Sequence, residues 1–366
     1  VRALREWWQQ RWEARWRALI NGRYGFSGAM ARGCLRVLSW PYAWGVGLRN
    51  WLYDHGWLPM HAVDVPVISV GNLSLGGTGK TPCIEYIARY YRRMGYRVAI
   101  VSRGYNATSD RNDEALVLEE NLPDVPHLQN VNRVAAVECA INELESQIIL
   151  LDDGFQHRRL FRNIDIVLLD ASKSVLSDYL FPRGTLREPL SSLQRASCIV
   201  LTRCDQSSPE QLTELRQALI SMFPKKKIIS TIHQPTCLRR YEQTIPLNKL
   251  KQRPIAAFCG IGNPDAFRRT LLQLGTVLLG FRIFSDHHIY TQEDIESLYQ
   301  WIQNMPNDIW IITTQKDWVK LRIGDIGDRQ LWTINIEIKI IDREDEFHEI
   351  LDRVITKVNM CKFFNN

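Results

Sequence analysis

From residue 65 onward, short apolar runs alternate with stretches whose apolar positions recur at helical spacing. The runs at 65–70, 97–102, 147–152, 164–170, 198–202 and 227–232 have the length and continuity of strands buried on both faces. Between the first two the pattern predicts a helix over 81–94, with Pro82 in its first turn, where no N–H is needed. Such alternation means a parallel sheet with helices on both faces, and ligands beyond the carboxyl ends of its strands. A second series begins near Arg253, with strands at 254–260, 278–285, 308–314 and 331–336 and helices at 263–274, 291–304 and 344–358. The expected organisation is α/β: a main domain over 61–235, a polar linker over 236–253 that contains Pro246, and a smaller α/β domain over 254–366. No internal repeat interrupts this pattern.

The first 60 residues break it. They carry nine Arg, no Lys and three acidic residues, a balance of +6 that equals the net charge of the whole 366-residue chain. Eight of the twelve Trp lie there too. Leu4, Trp8, Trp12, Trp16 and Leu19 recur at helical spacing, bordered by Arg11 and Arg15, which can meet lipid phosphates. Arg and Trp without a long apolar run describe a helix lying in a membrane interface. The longest uncharged stretch, 37–48, is broken by Pro41 and is too short for a span of about 20 residues. The alternative is an N-terminal helix packed on its own domain. The segment lacks the layout of a cleavable signal peptide. The chain starts at Val1, so either a short stretch precedes it or its start codon is unusual. A nucleic-acid arm is disfavoured, because Trp and Leu outnumber base-reading side chains. The eight cysteines are scattered without a Cys-x-x-Cys pair, which disfavours a zinc site and suits a reducing compartment.

The strongest chemical signal follows the first strand of the main series. Residues 71–82 read GNLSLGGTGKTP, a glycine-rich turn with Lys-Thr opening a helix. Gly76, Gly77 and Gly79 let main-chain N–H groups around Thr78 approach phosphate oxygens, Lys80 reaches the β- and γ-phosphates, and Thr81 offers a hydroxyl to Mg²⁺. Ser74 stands where the general pattern has its first glycine, so GGTGKT forms the turn by itself. Membrane-attached regulatory ATPases of the MinD type have that variant with a lysine before the paired glycines, where this chain has Leu75. A ligand-free glycine turn is the bland alternative.

Asp152 and Asp153 end the apolar run 148–151, the place of the acidic residue that serves Mg²⁺ beside a phosphate loop. A strand-end Asp that caps the next helix reads the same way. Gln156 and His157 follow within reach of phosphate or acceptor. Asp113 and Glu114 read alone as a solvated turn. Arg183 and Arg187, in the loop 182–189, can stabilise a transferring phosphoryl group or be merely structural. Asp286-His287-His288 ends a strand of the second series, and a carboxylate neighbour raises the basicity of a histidine. Thr202-Arg-Cys-Asp205 weakly resembles the base-reading element of G proteins.

Together these motifs resemble one family, tetraacyldisaccharide 4′-kinase, the lipid A 4′-kinase of Gram-negative envelope synthesis. The resemblance rests on the phosphate loop, Ser102-Arg-Gly-Tyr105, Asp113-Glu114, Asp152-Asp-Gly-Phe-Gln-His157, the 183–189 loop, Asp286-His287 and Thr314-Gln-Lys-Asp317, in the family's order. It implies a P-loop NTPase-like fold and transfer of the ATP γ-phosphoryl group to the 4′-hydroxyl of a tetraacyldisaccharide 1-phosphate. It implies Asp113 as base supported by His287, with Lys80 and the loop on the phosphates. Thr81, Asp152 and Asp153 would serve Mg²⁺, while Gln156, His157 and Arg187 would position phosphate or acceptor. The place implied is the cytoplasmic face of the inner membrane, without nucleic acid or an obligate protein partner. The competing readings are a MinD-like regulatory ATPase and a G protein.

Overall fold

The computed structural model describes residues 12, 15–16, 18–20, 22, 25–104 and 113–364, with side chains described to residue 356. Leu4, Trp8 and Arg11 of the expected stripe, and Tyr105, lie outside these.

A long helix, α1 (Gly25–Asp54), precedes the first strand. The first half then supplies β1 (Val67–Asn72), α2 (Lys80–Arg93), β2 (Val98–Ser102), α3 (Asp113–Asn121), β3 (His127–Gln129), α4 (Arg133–Asn142), β4 (Ile148–Asp152), β5 (Ile164–Asp170), β6 (Cys198–Thr202) and α5 (Pro209–Met222). Two 14-residue strands, β7 (Lys227–Arg240) and β13 (Arg329–Asp342), link the halves. The second half holds β8 (Gln243–Pro246), β9 (Pro254–Cys259), α6 (Pro264–Gln273), β10 (Val277–Ile283), α7 (Gln292–Gln303), β11 (Trp310–Thr314), α8 (Gln315–Leu321) and β12 (Asp325–Ile326), and α9 (Glu344–Phe364) ends the chain.

One sheet runs through both halves in the order β10-β9-β11-β13-β7-β6-β5-β1-β4-β2-β3. Along this path the strands pair in parallel except β7 with β13, which run antiparallel. β1, β4, β5 and β6 are buried at every position, as strands covered on both faces must be. Alternate residues face opposite layers. Ile68, Val70, Ile148 and Leu150 meet α2 and α9 through Ile84, Ile87, Tyr91, Phe347 and Leu351. Val67, Ile149 and Leu151 meet Ala136, Val137 and Ala140 of α4 on the other side.

Two boundaries differ from the sequence expectation. Residues 236–253 hold the distal end of β7, β8 and a helical turn at Leu247–Leu250. Their polar composition reflects a ribbon with exposed positions, and Pro235 sits where the pairing register with β13 shifts. The second difference is α9, which packs back on the first half. Phe347, Ile350, Leu351 and Val354 join its core, each burial worth roughly 1.5–3 kcal/mol. The Arg343–Glu346 pair lies at the start of the helix itself, so apolar packing places this helix.

Among the described residues no helix is long and apolar enough to cross a membrane. α1 instead has two faces. Ser39, Tyr42, Arg49 and Asn50 contact the first half, while Phe26, Met30, Val37, Trp40, Trp44 and Leu48 project outward, exposed. At about 100° per residue these two stripes lie on opposite sides of the helix.

Candidate active site

The phosphate loop joins β1 to α2 at the point where the chain crosses from β1 to its neighbours β4 and β5. Gly76 and Gly79 have φ of +107° and +87°, which L side chains rarely adopt. A Cβ on Gly79 would collide with the His233 ring, and with this φ only glycine fits. Asn72 braces the turn from within, donating to Thr78 Oγ1 at 2.9 Å and Gly76 O at 3.3 Å. The end of β6 grips it from outside. Thr202 donates to Thr78 O at 2.9 Å and Arg203 to Gly77 O at 3.0 Å. Carbonyls held on that side turn the following N–H groups toward the opposite one, since each peptide is planar and trans. Buried Asp170 fixes Arg203. The weak G-protein likeness of residues 202–205 thus has a structural cause, because Arg203 braces the loop.

Asp152 and Asp153 leave β4 beside Lys80. Asp153 adopts φ +49°, and this left-handed turn aims its carboxylate at Lys80 Nζ (3.5 Å) and Arg187 Nη1 (2.7 Å). Burial raises its pKa, but Lys80 and Arg187 outweigh that and hold it below the usual range. Arg133 donates to its carbonyl at 2.9 Å. Asp152 behaves oppositely. Burial and then the Glu114 charge push it up to about 7, and its buried Oδ1 has no hydrogen-bond partner. A buried, crowded carboxylate with an orphaned oxygen fits a hard cation. Among the described residues no group of three His, Cys, Asp or Glu side chains is arranged to hold a metal ion.

Asp113 and Glu114 occupy the first turn of α3 rather than a solvated loop, and Asp113 is buried. His287 crosses from the second half, with Nδ1–H donating to Asp113 Oδ2 at 2.9 Å and Oδ1 at 3.1 Å. Its φ of +57° is also left-handed. Lys316 and Lys320 lie one turn apart on α8, so both point the same way. Lys316 meets Glu114 at 2.7 Å, and Lys320 meets Asp113 at 3.5 Å. Burial raises the Asp113 pKa, yet the His287 hydrogen bond, then Lys316 and Lys320, drive it well below the usual carboxylate range. The same hydrogen bond raises His287. His288 turns away to Asp294 at 2.9 Å, so the two histidines share no site.

These groups line one cavity of about 740 Å³ between the halves, with Gly76, Lys80, Asp113, Asp152, Asp153 and Arg187 in its wall. A smaller cleft of about 190 Å³ adjoins it past Lys80 and Thr81, walled by Ala266, Phe267, Ile334 and Ile336. Gln156 and His157 line neither. The turn after Asp153 carries them toward α1, into a third cavity of about 580 Å³ with Tyr42, Arg49, Arg103, Arg133 and Arg187. Gln156 supports the loop from below, through Asn72 O at 2.9 Å. Burial and then the arginines, Arg133 first, lower the His157 pKa to about 4. Of the two expected positions, at phosphate or at acceptor, both residues thus sit on the arginine-rich side, in a cavity that they share with Asp153 and Arg187. The sequence assigned no role to Arg133, which no spacing marks, or to Lys320, whose helical spacing from Lys316 is a usable signal.

Residues 31–356 match the family model for tetraacyldisaccharide-1-P 4′-kinase. The chain belongs to that family. A tetraacyldisaccharide 4′-kinase of Anaeromyxobacter sp. (strain K) is 33% identical over 354 residues, covering 91% of this chain and 93% of the relative. That of Syntrophus aciditrophicus is 33% identical over 344 residues, covering 87% and 92%. The crystal structure of LpxK from Aquifex aeolicus in complex with ATP superposes with a TM-score of 0.71 at 31% identity, covering 88% of this chain and 99% of that one. The kinase reading thus stands over the regulatory ATPase, and the chain is an ATP-dependent lipid A 4′-kinase.

Proposed function

We propose that the cavity between the halves transfers the γ-phosphoryl group to the 4′-hydroxyl of a tetraacyldisaccharide 1-phosphate, with Asp113 receiving the hydroxyl proton. The observation that carries this reading is the Asp113–His287 contact, which places a charged carboxylate in the same cavity as Lys80 and Asp153. A sugar hydroxyl is far too weak an acid to ionise beforehand. A carboxylate can accept its proton late, as the new P–O bond forms. His287, held by Asp113, fixes the carboxylate's orientation. Lys80 and the N–H groups around Thr78 hold the phosphate oxygens, while Arg187 and Arg133 add positive charge near Asp153. Thr81 and the Asp152–Asp153 pair would hold Mg²⁺, which supplies charge neutralisation on the phosphates when bound. The apolar cleft beside Thr81 would take the adenine. The cavity that Gln156 and His157 share with four arginines suits the acceptor's anionic sugar.

The acceptor's four acyl chains cannot leave a bilayer cheaply, at about 0.8 kcal/mol per exposed CH₂. The outward stripe of α1, with Trp40 and Trp44, would seat the enzyme on the cytoplasmic face of the inner membrane. No obligate protein partner enters this scheme. Incubation with γ-labelled ATP, Mg²⁺ and detergent-dispersed tetraacyldisaccharide 1-phosphate should give labelled lipid, lost in Lys80→Ala. ATP hydrolysis without lipid label would overturn the reading.

A further inference from the structure

The inward face of α1 is tied to the active site by a route that membrane seating does not need. The loop 179–189 runs as a strap between the helix and the phosphate loop. On one side it pairs with the loop: Leu75 N–H donates to Thr185 O at 2.8 Å, and Arg187 N–H to Leu73 O at 2.7 Å. From the same residue the Arg187 side chain reaches Asp153. On its other side the strap meets α1. Tyr42 Oη donates to Arg187 O at 2.9 Å, and Ser39 Oγ to Leu180 O at 3.1 Å. Glu188, fully buried, accepts from Asn50 at 2.9 Å and Arg49 at 3.2 Å, and from Arg195 at 2.8 Å. A buried carboxylate with three donors is held tightly, and removing the Asn50 amide leaves one of its oxygens short of a hydrogen bond.

We propose that α1 is part of the catalytic frame: Tyr42 and Asn50 are positioning residues that hold the strap, and with it Arg187, against Asp153 and the phosphate loop. Both peptide groups of Arg187 are used, its N–H by the phosphate loop and its C=O by Tyr42. The backbone that aims the guanidinium is therefore fixed from two sides. Small errors in such placement lower turnover more than ground-state binding. The proposal rests on the reading that Arg187 acts in transfer.

The test uses the full chain in detergent micelles, with kcat and KM from label transfer to the lipid. Tyr42→Phe keeps the ring beside Phe181 and removes only the hydroxyl. Asn50→Ala removes a Glu188 donor, and Arg187→Ala is measured alongside. The expected result is kcat lower by roughly 3- to 10-fold in Tyr42→Phe, the scale of one hydrogen bond, with KM for ATP and the melting temperature unchanged. Sedimentation with phosphatidylethanolamine–phosphatidylglycerol vesicles should also be unchanged, because Tyr42 faces inward. Wild-type kcat in Tyr42→Phe and Asn50→Ala, with Arg187→Ala slow, overturns the proposal and leaves the role of Arg187 intact. Wild-type kcat in all three overturns both.

Discussion

The phosphate cradle and the Asp113–His287 pair face the same cavity but are built in opposite ways. The cradle is local. Residues 71–81 form it from one strand, one turn and one helix start, and its braces act on its main chain. The pair is assembled from two halves that share the β7–β13 ribbon, and each member meets the other only in the folded chain. A local cradle binds phosphate wherever the loop folds. A pair split between halves exists only when the halves are docked, and with Asp113 as the proposed base this would tie chemistry to their arrangement.

This contrast predicts different kinetic signatures. Asp113→Ala should cut kcat by about 10²- to 10⁴-fold while ATP affinity changes little. Comparable losses in both, from ATP titration and label transfer, would put Asp113 in binding. Lys80→Ala should cost on the order of 10²- to 10³-fold and weaken ATP binding too. An ATP affinity equal to wild type would break the division between cradle and pair.

The sequence exposed the cradle more readily for the same reason. Gly76, Gly79, Lys80 and Thr81 are neighbours in the chain, so spacing alone carries their geometry. The strand ends at Asp152 and Asp170 were readable because strands buried on both faces are continuous apolar runs. Asp113 read alone as a solvated turn, and its link to His287 came only from the family resemblance. Its helix is short, and burial there is set by the second half, which spacing within α3 cannot report. β7 and β13 were read at less than half their length, since a ribbon with exposed polar positions resembles a linker. α1 was legible as a Trp- and Arg-rich segment. Its inward hydrogen bonds were not, because Tyr42 and Asn50 find partners more than 130 residues away.

Two smaller effects sharpen the comparison. Replacing Trp40 and Trp44 by Ala should lower partition onto phosphatidylglycerol-containing vesicles, on the order of tenfold for each residue, read by sedimentation. Unchanged sedimentation would remove the outward face of α1 from membrane contact. The smallest effect concerns pH. The His287 pKa is raised by Asp113, so the extra stability from this ion pair between the halves is fully present below about pH 6.5 and is lost as pH rises through the raised value. The melting-temperature gap between wild type and His287→Ala should therefore be widest in mild acid and close on the alkaline side. A gap that widens with pH would reverse the assignment.

The most direct test of the split site is a double-mutant cycle on Asp113→Ala and His287→Ala, read as single-turnover label transfer from γ-labelled ATP to the lipid. If the two act as one unit, the double variant is no slower than Asp113→Ala alone. If their losses multiply, the residues work independently and the pair is not the base that this account describes.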